Sequence, residues 1–200
     1  MLYITVIFSA LLIGIMVSRI KGGNPSIDNI NFKSPWLLLP SVALQILSGI
    51  AEAKGLKFSI LVALIVNSMV FGFVFLLVWI NRRYIGLWFI GAGALSNALV
   101  MVFNAGRMPV DVSLLGDKAY LAEYVDLIVR DADNKHVLIN EATKLPFLAD
   151  VIKVPGFLGL GMPLISIGDI IVAVGLFVLC LQFCLYTEAN KKCPSSLQQN

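Results

Sequence analysis

The chain has 200 residues, of which 58% are hydrophobic and only 14% charged, with a mean hydropathy of +0.89. That composition excludes an average soluble globular domain, and a small, dispersed net charge of +3 excludes an electrostatic nucleic-acid surface. It implies an all-α fold: a polytopic membrane helix bundle of about five transmembrane helices with a partly helical external loop.

The first apolar run, near residues 2–18, is closed by Arg19 and Lys21. It has neither a basic start nor an A-x-A-like cleavage site, so it is expected to stay as a membrane helix rather than leave as a signal peptide. A second run near 36–52 is interrupted by Pro40, a third covers 58–80 and stops at Asn81-Arg82-Arg83, and a fourth covers 85–103. The fifth, 160–186, lies in a stretch from Phe157 to Tyr186 whose one charge is Asp169. A carboxylate placed there costs roughly 2.5–3.5 kcal/mol on insertion scales, so it is expected to face a polar cavity and to have a task.

Basic residues set the expected orientation. Arg19, Lys21 and Lys33 precede the second run, Arg82 and Arg83 separate the third from the fourth, and Lys191 and Lys192 follow the fifth. Placing all three groups in the cytoplasm puts the N-terminus outside, the C-terminus inside and the 104–156 loop outside a cell membrane. That loop carries eight acids (Asp111, Asp117, Glu123, Asp126, Asp131, Asp133, Glu141, Asp150) against six bases, so positive-inside sorting does not oppose its export. The link Glu52–Lys57, with two lysines, fits this orientation least well.

Within the loop, Ala119–Arg130 places Leu121, Tyr124, Val125 and Ile128 on one helical face, with Glu123, Asp126 and Arg130 largely opposite. An amphipathic helix that caps the bundle or lies on the membrane surface is expected there. Leu145–Ile152 is apolar again and is expected to dip back toward the bilayer, carrying Asp150. In the fourth run, Gly91, Ala94 and Ala98 form a small-residue stripe that lets a neighbouring helix approach, and Asn97 needs a polar partner at depth. Asn104 begins the segment that ends at Asp111, and a re-entrant path through it would bring Asp111 to Asp169, which is expected about 15 Å inside its helix.

Cys180, Cys184 and Cys193 form no disulfide framework and read as packing or idle thiols, and the lone His136 reads as a surface residue. Neither a metal site nor a cofactor is expected.

The strings GAGALSNALVMVFNAGRMPVDV and ISIGDIIVAVGLFVL resemble two helices of signal peptidase II, an aspartyl peptidase acting on lipid-modified substrates. The resemblance implies Asp111 and Asp169 as catalytic aspartates, with Asn97 and Ser166 matching the family's asparagines; beside it, Asp150 is the expected substitute for Asp111, and Asn104 joins Asn97 and Ser166 as polar support. It departs from that family at Val100, where an aspartate would stand, and at Ser166, where an asparagine would. The chain as a whole, with its N-A-G-x-M-P, L-x-F-L-A-D and S-I-G-D elements, more closely resembles an uncharacterised family of multipass bacterial membrane proteins. Three functions stay open: a binding, transport or accessory membrane protein built around Asp169, an intramembrane aspartyl hydrolase, and a purely structural Asp169. Membrane lipids are the expected partners of each, and a lipid-modified or membrane-bound substrate that of the hydrolase.

Overall fold

The computed structural model describes residues 1–21, 31–116, 121–131 and 133–189, without the side chains of Glu123 and residues 186–189. Asp117, the start of the expected loop helix at 119–120, Lys191, Lys192 and Cys193 lie outside the described residues. Among the described residues six α-helices run in the order α1 (Leu2–Ile20), α2 (Leu38–Ala53), α3 (Ile60–Ile80), α4 (Ile85–Phe103), α5 (Ala122–Val129) and α6 (Ile167–Ala189). Five spans, all but α5, are long and apolar enough to cross a membrane, which fits a multipass membrane protein. Their outer faces agree: Phe8, Leu39, Leu61 and Trp79 are all exposed, as the lipid-facing sides of spanning helices must be.

Local chemistry explains the helix limits. Ser59 caps α3 by accepting the Val62 N–H at 3.3 Å, and Asn81 ends it. Pro40 does not interrupt the second helix as expected; it falls in the first turn of α2, where a missing N–H leaves no intrahelical bond unmade. The last helix begins at Ile167, later than hydropathy alone implies, because Gly161 at φ +81°, Pro163 and the short strand Leu164–Ile165 precede it.

The tightest seam joins α4 to α6. Gly86 lies against Gly175 O and Leu179, and Gly93 against Gly168 O and Val172, so that a methyl group on either glycine would meet backbone. Close approach of α4 to α6 therefore uses Gly86 and Gly93, seven residues apart. Gly91 faces Val78 of α3 at an ordinary 3.4 Å. On the other side of α6, Gly14 of α1 abuts Cys184, which is a free, buried thiol.

The helices alternate in direction, so the start of α1, the α2–α3 link, the end of α4 and the start of α6 meet at one end. The segment between α4 and α6 forms a cap over that end. In it β1 (Met108–Val110) pairs in parallel with β2 (His136–Leu138), and β3 (Ile152–Lys153) pairs antiparallel with β4 (Leu164–Ile165). α5 packs on β1 and β4 through a core of Val110, Leu115, Leu121, Ile128 and Leu164, with Tyr124 and Val125 against it. The four expected apolar positions thus face a core, and the helix caps the bundle through the small sheets. Asn134 fastens the cap to the α2–α3 link: its side chain accepts the Phe58 N–H at 2.7 Å and donates to Leu56 O at 2.8 Å, while its backbone N–H reaches Glu52 at 3.0 Å. Lys57 and Arg107 both pair with Asp131, and these contacts hold its carboxyl below the usual range.

At the opposite end Asn81 ties the segment before α2 to α3. Its oxygen accepts the Lys33 N–H at 2.7 Å, and its amide donates to Lys33 O at 2.9 Å and Leu77 O at 3.0 Å. Tyr84 and Phe183 meet edge to face at 5.3 Å beside it, with Phe32 against both.

Candidate functional site

Asp169 stands in the first turn of α6, not well inside it. Ser166-Ile-Gly-Asp169 is a capping box with aspartate in the usual glutamate place: Ser166 Oγ accepts the Asp169 N–H at 3.0 Å, and Asp169 Oδ2 accepts the Ser166 N–H at 3.0 Å. The helix N-terminus favours the negative charge as well, typically by about 0.3–1 kcal/mol. This is how the fold carries an acid within an apolar run.

The rest of the Asp169 carboxylate is shared across three helices. Oδ1 accepts the Tyr3 hydroxyl of α1 and the Asn97 amide of α4, each at 2.9 Å. Ser166 Oγ lies 2.9 Å from both Asn97 Oδ1 and Asp169 Oδ2, so its single proton serves two acceptors. The Gly168 position admits no side chain, because a Cβ there would overlap Asn97 and crowd Gly93 O at 2.8 Å. Glycine at 168 is therefore what lets Asn97 reach the acid.

This network opens onto a chamber of about 380 Å³ between the helices and the cap. Tyr3, Asn97 and Asp169 line it from the bundle, Gln45, Ser48 and Asn67 from α2 and α3, and Asn134, Lys135, His136 and Asp150 from the cap. Its size falls within the range of small-ligand pockets. Asp150 is held in place by its backbone, which donates to Pro109 O at 2.9 Å and accepts from the Asp111 N–H at 3.2 Å, beside β1. Its residue is only 7% exposed, yet Oδ1 has no hydrogen-bond partner. Among the described residues the one other such buried atom is Ser96 Oγ.

His136 is not the surface residue expected of a lone loop histidine. Nδ1 sits 2.7 Å from Asp133 Oδ2 and Nε2 sits 3.9 Å from Asp150 Oδ2, so the ring lies between two acids. Tyr124 packs edge-on against it, with centroids 5.9 Å apart. Burial opposes charge on the imidazole, but the Asp133 contact and the pull of Asp150 outweigh it and raise its pKa. Burial likewise opposes ionisation of Asp133; its bonds to His136 and to the Lys135 and His136 N–H groups win, and its pKa is lowered. For Asp150 burial, reinforced by the Asp169 charge, prevails over His136 and pushes the carboxyl up to about 7.

The structure gathers Asp169, Asn97, Ser166 and Asp150 but not Asp111 or Asn104. The Asp111 carboxylate accepts the Ser113 N–H at 3.1 Å and faces its hydroxyl at 2.5 Å, capping the turn Val112–Leu115, and it does not line the chamber. The expected re-entrant path is instead a tight turn followed by β1. Asn104 holds the cap down, exchanging bonds with the Lys144 backbone at 2.8 and 2.9 Å. Tyr3, His136 and Asn134 were not foreseen. The spacing Ser166-x-x-Asp169 is a capping signature that could have located the helix start, which was instead expected near residue 160; no comparable signal marks Tyr3, whose place depends on α1 packing against α6.

Residues 29–181 match a family of unknown function (DUF5317). A Thermotoga maritima protein, described as uncharacterised, is 32% identical over 168 residues, covering 84% of this chain and 85% of its own. No solved structure matches.

Proposed function

The chain belongs to that family of unknown function, and we propose that it is a membrane-embedded binding protein whose chamber takes a small group carrying one positive charge. The observation that carries this reading is Asp150 Oδ1, buried and unpartnered beside a second acid in one chamber. A buried polar atom left unpaired costs about 1–3 kcal/mol, which a hydrogen-bond donor on a ligand recovers. The neighbouring carboxamides favour a donor too. The amide hydrogens of Asn67 go to Ala63 O and Gly106 O, and the Asn97 amide donates to Asp169, so the protein already engages the donors of both side chains. In this reading Asp169 is the fixed charge, satisfied by the protein, and Asp150 is the acid that meets the ligand.

The test is calorimetry with n-butylammonium on protein in phosphatidylcholine nanodiscs. Binding is expected to strengthen as pH rises through about 7, where Asp150 ionises, and to release a proton into the buffer below that pH. Asp150→Asn should bind at least about tenfold more weakly, a loss of roughly 1.4 kcal/mol. Equal binding by wild type and Asp150→Asn ends the proposal.

One observation favours a second reading, an aspartyl hydrolase. Asp150, with its raised pKa, and Asp169 occupy the same chamber, and pairs of acids whose environments differ divide acid and base roles. The pair would then be Asp150 and Asp169, with Asp111 no part of it. Hydrolysis of a membrane-bound peptide or ester that is lost in both Asp150→Asn and Asp169→Asn is the result that would favour it.

We further propose that the cap faces outside and the Asn81 end faces the cytoplasm. Arg19, Lys21, Lys33, Arg82 and Arg83 cluster at the Asn81 end, whereas at the cap end Lys57 of the misfit link is paired with Asp131. Reporter fusions at residues 83 and 140 should report opposite sides; an internal residue 140 reverses the orientation.

A further inference from the structure

A second crevice adjoins the chamber. It has a volume of about 230 Å³ and runs between α3 and α4. The two spaces share Asn67, Phe71 and Met101, so these residues form a common wall between a polar space and an apolar one. Beyond that wall the crevice is bordered by Gly72, Phe75, Ala98 and Val102, and Gly72 and Val102 are exposed on the flank of the bundle. At Gly72 a side chain would meet nothing within 4 Å, so the opening is due to the missing side chain and no neighbour fills it. This contrasts with α4 against α6, where every helical glycine in the seam is in contact with backbone.

A polar chamber that abuts an apolar slot on the flank of the bundle, the two sharing Asn67, Phe71 and Met101, has the shape of a site for one kind of molecule. We propose that the ligand is an amphiphile: a single aliphatic chain in the α3–α4 crevice, joined to a protonated primary amine in the chamber between Asp150 and Asp169. The inference rests on the proposed cation-binding reading and adds the substrate class. Charge complementarity selects the head, since the unpartnered Asp150 oxygen needs a donor and the oxygen of Asn67 can accept another, and an ammonium has three to give. The apolar crevice directly beside the chamber, across the Asn67, Phe71 and Met101 side chains that must part to join the two, selects the tail. The ligand enters sideways from the bilayer, and its head need not cross the cap.

The test uses dodecylamine carrying a diazirine midway along its chain, photo-crosslinked to the full chain in phosphatidylcholine nanodiscs, with labelled residues mapped by mass spectrometry. Probes of the same chain ending in an alcohol or a phosphate are run alongside. The amine probe should label the α3–α4 crevice, Ser68 to Phe75 and Ala98 to Val102, about tenfold above the alcohol, the ratio expected for 1.4 kcal/mol of head-group preference. Asp150→Asn should reduce it to the alcohol level. Gly72→Leu fills space that is empty, so it should fold; it should abolish crevice labelling while leaving n-butylammonium binding intact. Equal labelling by amine and alcohol, stronger labelling by the phosphate, or labelling that survives Gly72→Leu each overturns the inference. If n-butylammonium binds but the crevice is not labelled, the amphiphile fails and the binding reading stands; if n-butylammonium does not bind at all, both fall.

Discussion

The two ends of this bundle bury polar side chains for opposite purposes. At one end Asn81 is 1% exposed, and its oxygen and amide are all engaged, by the backbone of Lys33 and by Leu77 O, with an aromatic cluster closing over them. At the other end Asp150 is almost as deeply buried, yet it keeps an oxygen without a partner and its carboxyl is pushed up to about 7. A polar group that the fold satisfies completely is a fastener, whereas one that it buries and leaves short calls for an explanation, which the proposed ligand supplies for Asp150. Asp169 stands between these cases: it is conspicuous in the sequence and fully bonded in the structure, and so in the proposed binding reading it supports the site while Asp150 meets the ligand.

The contrast is broken most strongly by removing the fastener. Asn81→Leu leaves the Lys33 N–H and C=O without partners, and should lower stability by about 2–3 kcal/mol, read as a shift in the midpoint of denaturant unfolding in mixed micelles. No loss there would mean that the two ends are not as different as their bonding implies.

A smaller effect, of opposite sign, belongs to Asp150. Its folded pKa lies above the unfolded value of 3.8, so the folded state holds a proton that the unfolded state has released. The group's contribution is therefore lost as pH rises from about 4 to about 7 and is constant beyond. Ligand-free wild type should melt at progressively lower temperature across that window, while Asp150→Asn should be flatter and more stable at pH 8, by an amount of order 1–2 kcal/mol. His136, whose pKa is also raised, supplies a remaining slope of the same sign from the ordinary imidazole value upward. A steeper profile in Asp150→Asn would contradict the burial argument.

The mildest change is Tyr3→Phe, which removes one of the donors to Asp169 and keeps the ring. A loss of about 1 kcal/mol is expected, with n-butylammonium binding retained, because Asn97 and Ser166 still hold the acid. Complete loss of binding in Tyr3→Phe would move the ligand from Asp150 to Asp169.

The sequence by itself determined the class of molecule. Five apolar runs are readable because a bilayer demands length and uniform hydropathy, which are local properties. The amphipathic face of α5 was legible for the same reason, since helical period alone places Leu121, Tyr124, Val125 and Ile128 together. Asp169 stood out by its isolation, and Asn97 and Ser166 by their polarity in apolar surroundings. Tertiary structure decided the rest. Strands of two or three residues carry no readable alternation, so nothing local revealed that β1 pairs with β2 and draws Asp150 in while Asp111 turns away to Ser113. Which glycines touch is equally non-local, because Gly86 and Gly93 are defined by what α6 presents to them. His136 was read as a surface residue from the polar letters around it, yet two of its neighbours in space are acids that the fold buries with it. Hydropathy is summed along the chain, whereas burial of a polar atom and the partner it lacks are settled only when distant segments meet.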